Sequence, residues 1–119
     1  MDYESMSDFE INTMVTSVVF ECDGWECNDA ELYHCGVDGS DYYSQPILHY
    51  CNNPADAWSI IIKSEITIIN LGDECMAVHG FQLIDDEYRD CIADWSLEAR
   101  SKNPLRAAMI VFLMMNKGE

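Results

Sequence analysis

The sequence predicts an α+β fold in one domain, residues 1–119: a small antiparallel sheet packed with N-terminal, central and buried C-terminal helices. Three observations predict it. Capped helical periodicity appears near the start and again in the middle. A β-branched run follows the middle helix and is joined to a second by a short turn. The chain then closes on its most apolar stretch, "NPLRAAMIVFLMMNKGE".

The elements follow in order. Ser7-Asp8-Phe9-Glu10 has the form of a capping box, in which the Ser7 hydroxyl accepts from the Glu10 N–H and the Glu10 side chain reaches back. Ile11, Met14, Val15 and Val18 then repeat on one helical stripe, predicting a helix from about Asp8 to Val19. Residues 21–52 carry Gly24, Gly36, Gly39 and Pro46 among scattered aromatics. That composition suits turns, short strands and an ordered loop, with Trp25, Tyr33, Tyr42, Tyr43 and Tyr50 needing somewhere to pack. Asn53 can cap a second helix, Pro54 fits its first position and Asp56 favours its dipole. Ala57, Ile60, Ile61 and Ser64 form its inner stripe, which Trp58 and Ile62 extend.

"EITIIN" predicts a strand at about Ile66–Asn70, and "CMAVHGF" a second, with Leu71-Gly72-Asp73-Glu74 closing a hairpin. From Gln82 to Leu97 two periods compete. Ile84, Tyr88, Cys91, Ile92 and Trp95 fit a helix, whereas Cys91, Ala93, Trp95 and Leu97 alternate as a strand. Strands around an exposed "DDEYRD" turn are preferred, because Asp86, Asp90 and Asp94 at i, i+4 on a helix repel. Asn103-Pro104 repeats the earlier helix start and Gly118 supplies a stop, giving a helix from about Pro104 to Asn116. In the run Leu105–Met115 only Arg106 is not apolar. Eleven residues are too few to span a bilayer, which takes about 20. A helix apolar on nearly every side is a buried one.

Charge narrows the function classes. Six Lys and Arg against 22 Asp and Glu give a net charge of −16. Residues 1–62 hold twelve carboxylates and no Lys or Arg. Such a field repels nucleic acid and anionic membrane and attracts basic protein surfaces. The blander reading is solubility alone. The acidic start "MDYESMSDFE" lacks the basic and apolar regions of a signal peptide, so a cytoplasmic location with reduced thiols is expected.

Candidate chemistry is thin. Cys22, Cys27 and Cys35, with His34, His49 and Cys51, could supply zinc ligands, but structural zinc favours two tight pairs and the spacings here are open. Small buried hydrophobes are the better reading, and no metal or cofactor is expected. His34-Cys35 and His49-x-Cys51 do not make a nucleophile, since surrounding negative charge raises a thiol pKa. His79 beside Gly80 reads as a satisfied loop histidine. Asp85-Asp86-Glu87 with Asp90 and Asp94 lacks the pattern of a calcium loop and reads as a solvated turn. No phosphate loop or basic aromatic patch appears, so neither catalysis nor direct nucleic-acid binding is expected.

Three stretches carry a resemblance: "MDYESMSDFEIN", "NNPADAWSIIIKSEITI" and "KNPLRAAMIVFLMM". Together they resemble the NinX-like proteins of lambdoid and related tailed phages and of enteric prophages. The resemblance fades over about 21–46 and 73–100. It implies a phage-encoded accessory protein and offers no catalytic residue to carry over.

Two function classes stand. The first is a stoichiometric binder that offers carboxylates to a basic host protein, a nucleic-acid-binding defence or transcription factor among the candidates. Asp23, Glu26, Asp29, Glu31, Asp38 and Asp41 are its expected contacting charges, with Trp25, Tyr42 and Tyr43 as anchors. The second is a small metal-binding module or enzyme using the Cys/His-rich middle. A homodimer paired through the tail helix is a third, plainer alternative.

Overall fold

The computed structural model describes residues 2–36, 41–85 and 91–117. Its centre is the tail. Helix α3 (Pro104–Lys117) starts where the Asn103 side chain accepts from the Leu105 and Arg106 N–H groups at 3.0 and 3.3 Å. Every residue from Ala107 to Leu113 is buried. The reason is its surroundings: α1 (Asp8–Val19), α2 (Pro54–Lys63) and the three strands β4 (Ile66–Asn70), β5 (Cys75–His79) and β8 (Leu97–Ser101) all pack on it. An apolar side chain so enclosed contributes about 1.5–3 kcal/mol from removal of its surface from water.

Arg106, the lone polar residue of that run, ties the two ends of the chain together. Its guanidinium donates to Asp8 Oδ1 at 2.7 Å and to the carbonyls of Tyr3, Glu4 and Met6 around the 3₁₀ turn Tyr3–Ser5. The fork geometry of the guanidinium suits such divergent acceptors.

The capping box of α1 is present: Glu10 N donates to Ser7 Oγ at 3.1 Å, and the Glu10 carboxylate faces the Ser7 N–H. Ile11 and Val15 are fully buried as expected, but Asn12 and Thr16 are buried beside them. These two act as polar pegs. Cys51 N donates to Asn12 Oδ1 at 2.9 Å, and Leu48 N donates to Thr16 Oγ1 at 3.3 Å. Backbone that passes over the helix is thereby satisfied without water.

Helix α2 begins as predicted, with the Asn53 side chain accepting from Ala55 N at 3.0 Å. Its inner stripe is Ala57, Ile60 and Ile61. Trp58 and Ile62, expected to extend that stripe, instead face outward at 63% and 56% exposure. At about 100° per residue they lie roughly 100–140° from Ala57, beyond the arc that a surface helix buries.

The main sheet has the antiparallel order β4-β5-β8. The predicted hairpin closes where Leu71 N donates to Glu74 O at 2.9 Å, with Gly72 at φ +99°, open to glycine and costly for other residues. Met76, Ala77 and Val78 of the central strand are buried. Between β5 and β8 the chain makes a second hairpin, β6 (Gln82–Asp85) with β7 (Cys91–Asp94). The strand reading of 82–97 therefore holds, although its alternating run is not one strand. It breaks at Trp95-Ser96, where Ser96 N returns to His79 O at 2.9 Å and Trp95 stacks on Phe81. The expected turn at Asp86–Asp90 and the stop at Gly118 lie outside the described residues.

The segment after α1 holds a separate small sheet of order β1-β2-β3: β1 (Glu26–Cys27), β2 (Glu31–Cys35) and β3 (Tyr42–Pro46), whereas Tyr50 and Cys51 beyond it join the main core. It has a miniature core of Cys22, Leu32 and Ile47 with Trp25 packed against it. The turn out of α1 supplies the junction. Cys22 N donates to Ser17 O at 2.9 Å and Glu21 sits at φ 55°, the left-handed residue of a Schellman-type ending. The molecule is elongated, 67 × 27 × 26 Å.

Candidate protein-binding surface

The register of the small sheet sorts the candidate residues by face. Glu26 opposes Tyr33, Tyr33 opposes Ser44 and Cys35 opposes Tyr42, so these share one face with Glu31. His34 opposes Tyr43 on the other face, where Trp25, one residue before β1, falls in line with them.

The first face is polar. Tyr42 donates its hydroxyl to Glu31 Oε1 at 2.7 Å and stacks on Tyr33 at a centroid distance of 6.2 Å. The Tyr33 hydroxyl bonds the Glu26 carboxylate, and that bond with the adjacent negative charge pushes its pKa above the ordinary tyrosine value. The bond to Glu31, then desolvation, does the same for Tyr42. Both phenols thus stay donors, and each bonds a carboxylate on this face.

The second face carries a row of rings. Trp25 stacks on His34 at 5.7 Å and His34 on Tyr43 at 6.2 Å, with interplanar angles of 23° and 19°. The separations suit offset stacking. The row ends at Tyr43, which is 50% exposed.

The remaining candidates sit at the margins. Asp23 is exposed in the loop before β1. Asp29 is at the tip of the β1–β2 turn, where Ala30 N and Glu31 N both donate to Asn28 Oδ1. Asp41 closes the β2–β3 hairpin by accepting from Gly36 N at 2.7 Å through its backbone. Asp38 lies outside the described residues. The structure thus brings Glu26, Glu31 and Tyr42 together on one face, sets Trp25 and Tyr43 on the other, and keeps Asp23, Asp29 and Asp41 at loop positions. Sequence reasoning had not included Tyr33 and His34 in the surface. Strand alternation over 31–35 is the signal that would have assigned them to opposite faces.

The Cys/His-rich middle is dispersed. Cys22 is in the miniature core and Cys51 in the main one, while Cys27 and Cys35 are exposed on opposite faces of the small sheet. Burial pushes the Cys51 thiol up to about 12, with Asp8 adding to the rise and Arg106 opposing it; burial also raises Cys22. Among the described residues no group of three His, Cys, Asp or Glu side chains is arranged to hold a metal ion. His79 is engaged, its Nδ1 lying 3.1 Å from Ser64 O. Among the described residues no helix is long and apolar enough to cross a membrane.

No curated protein and no solved structure matches the chain. The sequence profile of one phage family, described as "Bacteriophage P22, NinX", matches residues 2–116, a span that takes in the small sheet and the second hairpin as well as the core. The chain therefore belongs to the Bacteriophage P22 NinX family.

Proposed function

We propose that this phage-family protein acts in the host cytoplasm by stoichiometric binding, not catalysis, and that its small sheet presents carboxylates to a basic host protein. One observation carries the reading. Glu26 and Glu31 are each held by a tyrosine hydroxyl on a face of the small sheet, in a segment without Lys or Arg. Carboxylates on a rigid scaffold can stand in for phosphates at a nucleic-acid site, and their field speeds encounter by about 10–10³-fold at low salt. A host defence or transcription factor is a fitting target class.

The test is capture of host proteins from lysate by the intact protein, with identification by mass spectrometry and a salt titration of each captured pair. A basic nucleic-acid-binding protein whose affinity falls steeply with salt, and which is lost on Glu26→Gln with Glu31→Gln, is the expected result. A salt-indifferent partner, or one unaffected by both substitutions, overturns the reading.

A further inference from the structure

The small sheet has two edges, the two-residue β1 and the longer β3. Gly36 N bonds Asp41 O and Ile47 N bonds Ala30 O, which sets the alternation along β3. Tyr43 and Gln45 exchange bonds with β2, and Tyr42 and Ser44 turn their N–H and C=O groups to the outer edge. No further strand lies there among the described residues.

We infer that this edge takes a fourth strand from the partner: an extended, arginine-bearing segment that pairs with Tyr42 and Ser44 and stacks an arginine on Tyr43. The inference rests on the binding reading above and specifies how the partner is held. A partner residue opposite Tyr43 occupies a non-hydrogen-bonded position, where facing side chains approach most closely. It is the next rung of the Trp25–His34–Tyr43 row, so a guanidinium there meets an exposed ring face.

Charge chooses the occupant. Residues 21–46 contain Glu21, Asp23, Glu26, Asp29, Glu31, Asp38 and Asp41 and no Lys or Arg. Two copies joined edge to edge would face these carboxylates with themselves, whereas a cationic segment is attracted. Main-chain pairing would supply affinity and the ring row selectivity, the usual division in strand addition.

The probe is a capped ten-residue peptide alternating Arg and Thr, added to the full chain at low salt. With Arg opposite Tyr43, the threonines present their N–H groups to the edge. Expected are slowed exchange of the Tyr42 and Ser44 amides and a binding loss of about tenfold when the threonines are N-methylated. N-methylation of the arginines has little effect. Ser44→Pro, which removes an outward N–H and no bond to β2, gives a similar loss, and Tyr43→Ala weakens binding about threefold.

Equal binding of the two N-methylated peptides overturns strand addition. So does absence of binding by the unmodified peptide, or a dimer of the protein that Ser44→Pro dissolves. If peptide affinity follows Glu26→Gln and Glu31→Gln but ignores N-methylation, strand addition fails and acidic docking stands. A failed lysate capture alongside methylation-sensitive peptide binding separates the two the other way.

Discussion

The α3-centred core and the small sheet are built by opposite rules. In the core, a helix buried over Ala107–Leu113 is enclosed by two helices and three strands, and the few polar groups inside are each bonded. In the small sheet, three buried residues and Trp25 suffice, and most of the aromatic surface faces out. One region buries its apolar residues, while the other leaves Tyr42 and Tyr43 exposed. The difference teaches that chain stability and surface chemistry are separable here, and substitutions can test that separation.

Alkaline titration is expected to have the largest effect. Burial pushes the Tyr50 hydroxyl and the Cys51 thiol up to about 12, from ordinary values of 10 and 9. The unfolded chain ionises first, so between those ordinary values and 12 it binds fewer protons than the folded one. Stability is full below pH 9 and falls as pH rises through 12. At about 1.4 kcal/mol per pH unit and group, the loss is on the order of 7 kcal/mol. Urea melts at stepped pH would read it, and a flat profile would contradict it.

Leu113→Ala comes next, with a loss of about 4 kcal/mol from a fully enclosed site, visible as a lower urea midpoint with unchanged slope. Arg106→Met follows at about 2 kcal/mol, since it removes the ion pair to Asp8 and the guanidinium bonds to the carbonyls of Tyr3, Glu4 and Met6, leaving Asp8 only the weaker bond from Asn52. Faster amide exchange around residues 3–8 is its local signature. Leu32→Ala sharpens the comparison: it should open the small sheet by about 2 kcal/mol and leave exchange protection of α3 as it was. Joint loss of protection would mean that the two regions unfold as one. The smallest effect is at the junction, where Glu21→Gly relieves a left-handed residue and should raise stability by about 0.5–1 kcal/mol in thermal melts.

The legible parts of the fold were those specified locally. Ser7 and Glu10 lie three residues apart, Asn53 and Asn103 each precede a proline, and Leu71–Glu74 separates two strand-like runs. Capping and turn chemistry act over such distances, so these elements stand where the sequence put them. The illegible parts depend on remote partners. Asn12 looks like any helical asparagine until the Cys51 amide, 39 residues on, reaches it. Trp58 and Ile62 have core-like side chains, but only the position of α2 at the surface decides that they face out. For the candidate surface, composition pointed to the segment, and neither the ring row nor the division of residues between two faces could be read without strand register. The cysteines were unevenly legible for the same reason: the reading as small buried hydrophobes holds for Cys22 and Cys51, while Cys27 and Cys35 are exposed, and spacing alone does not say which.

The placement of α3 also has a consequence for biosynthesis. The helix that fills the centre emerges from the ribosome after every other element packed on it. Until then the inner sides of α1, α2 and the main sheet have nothing to close upon, and Asp8 waits for the arginine that will hold it. Assembly of the core is thereby coupled to completion of translation through residue 113, and a nascent chain halted earlier exposes its greasy surfaces to chaperones and proteases.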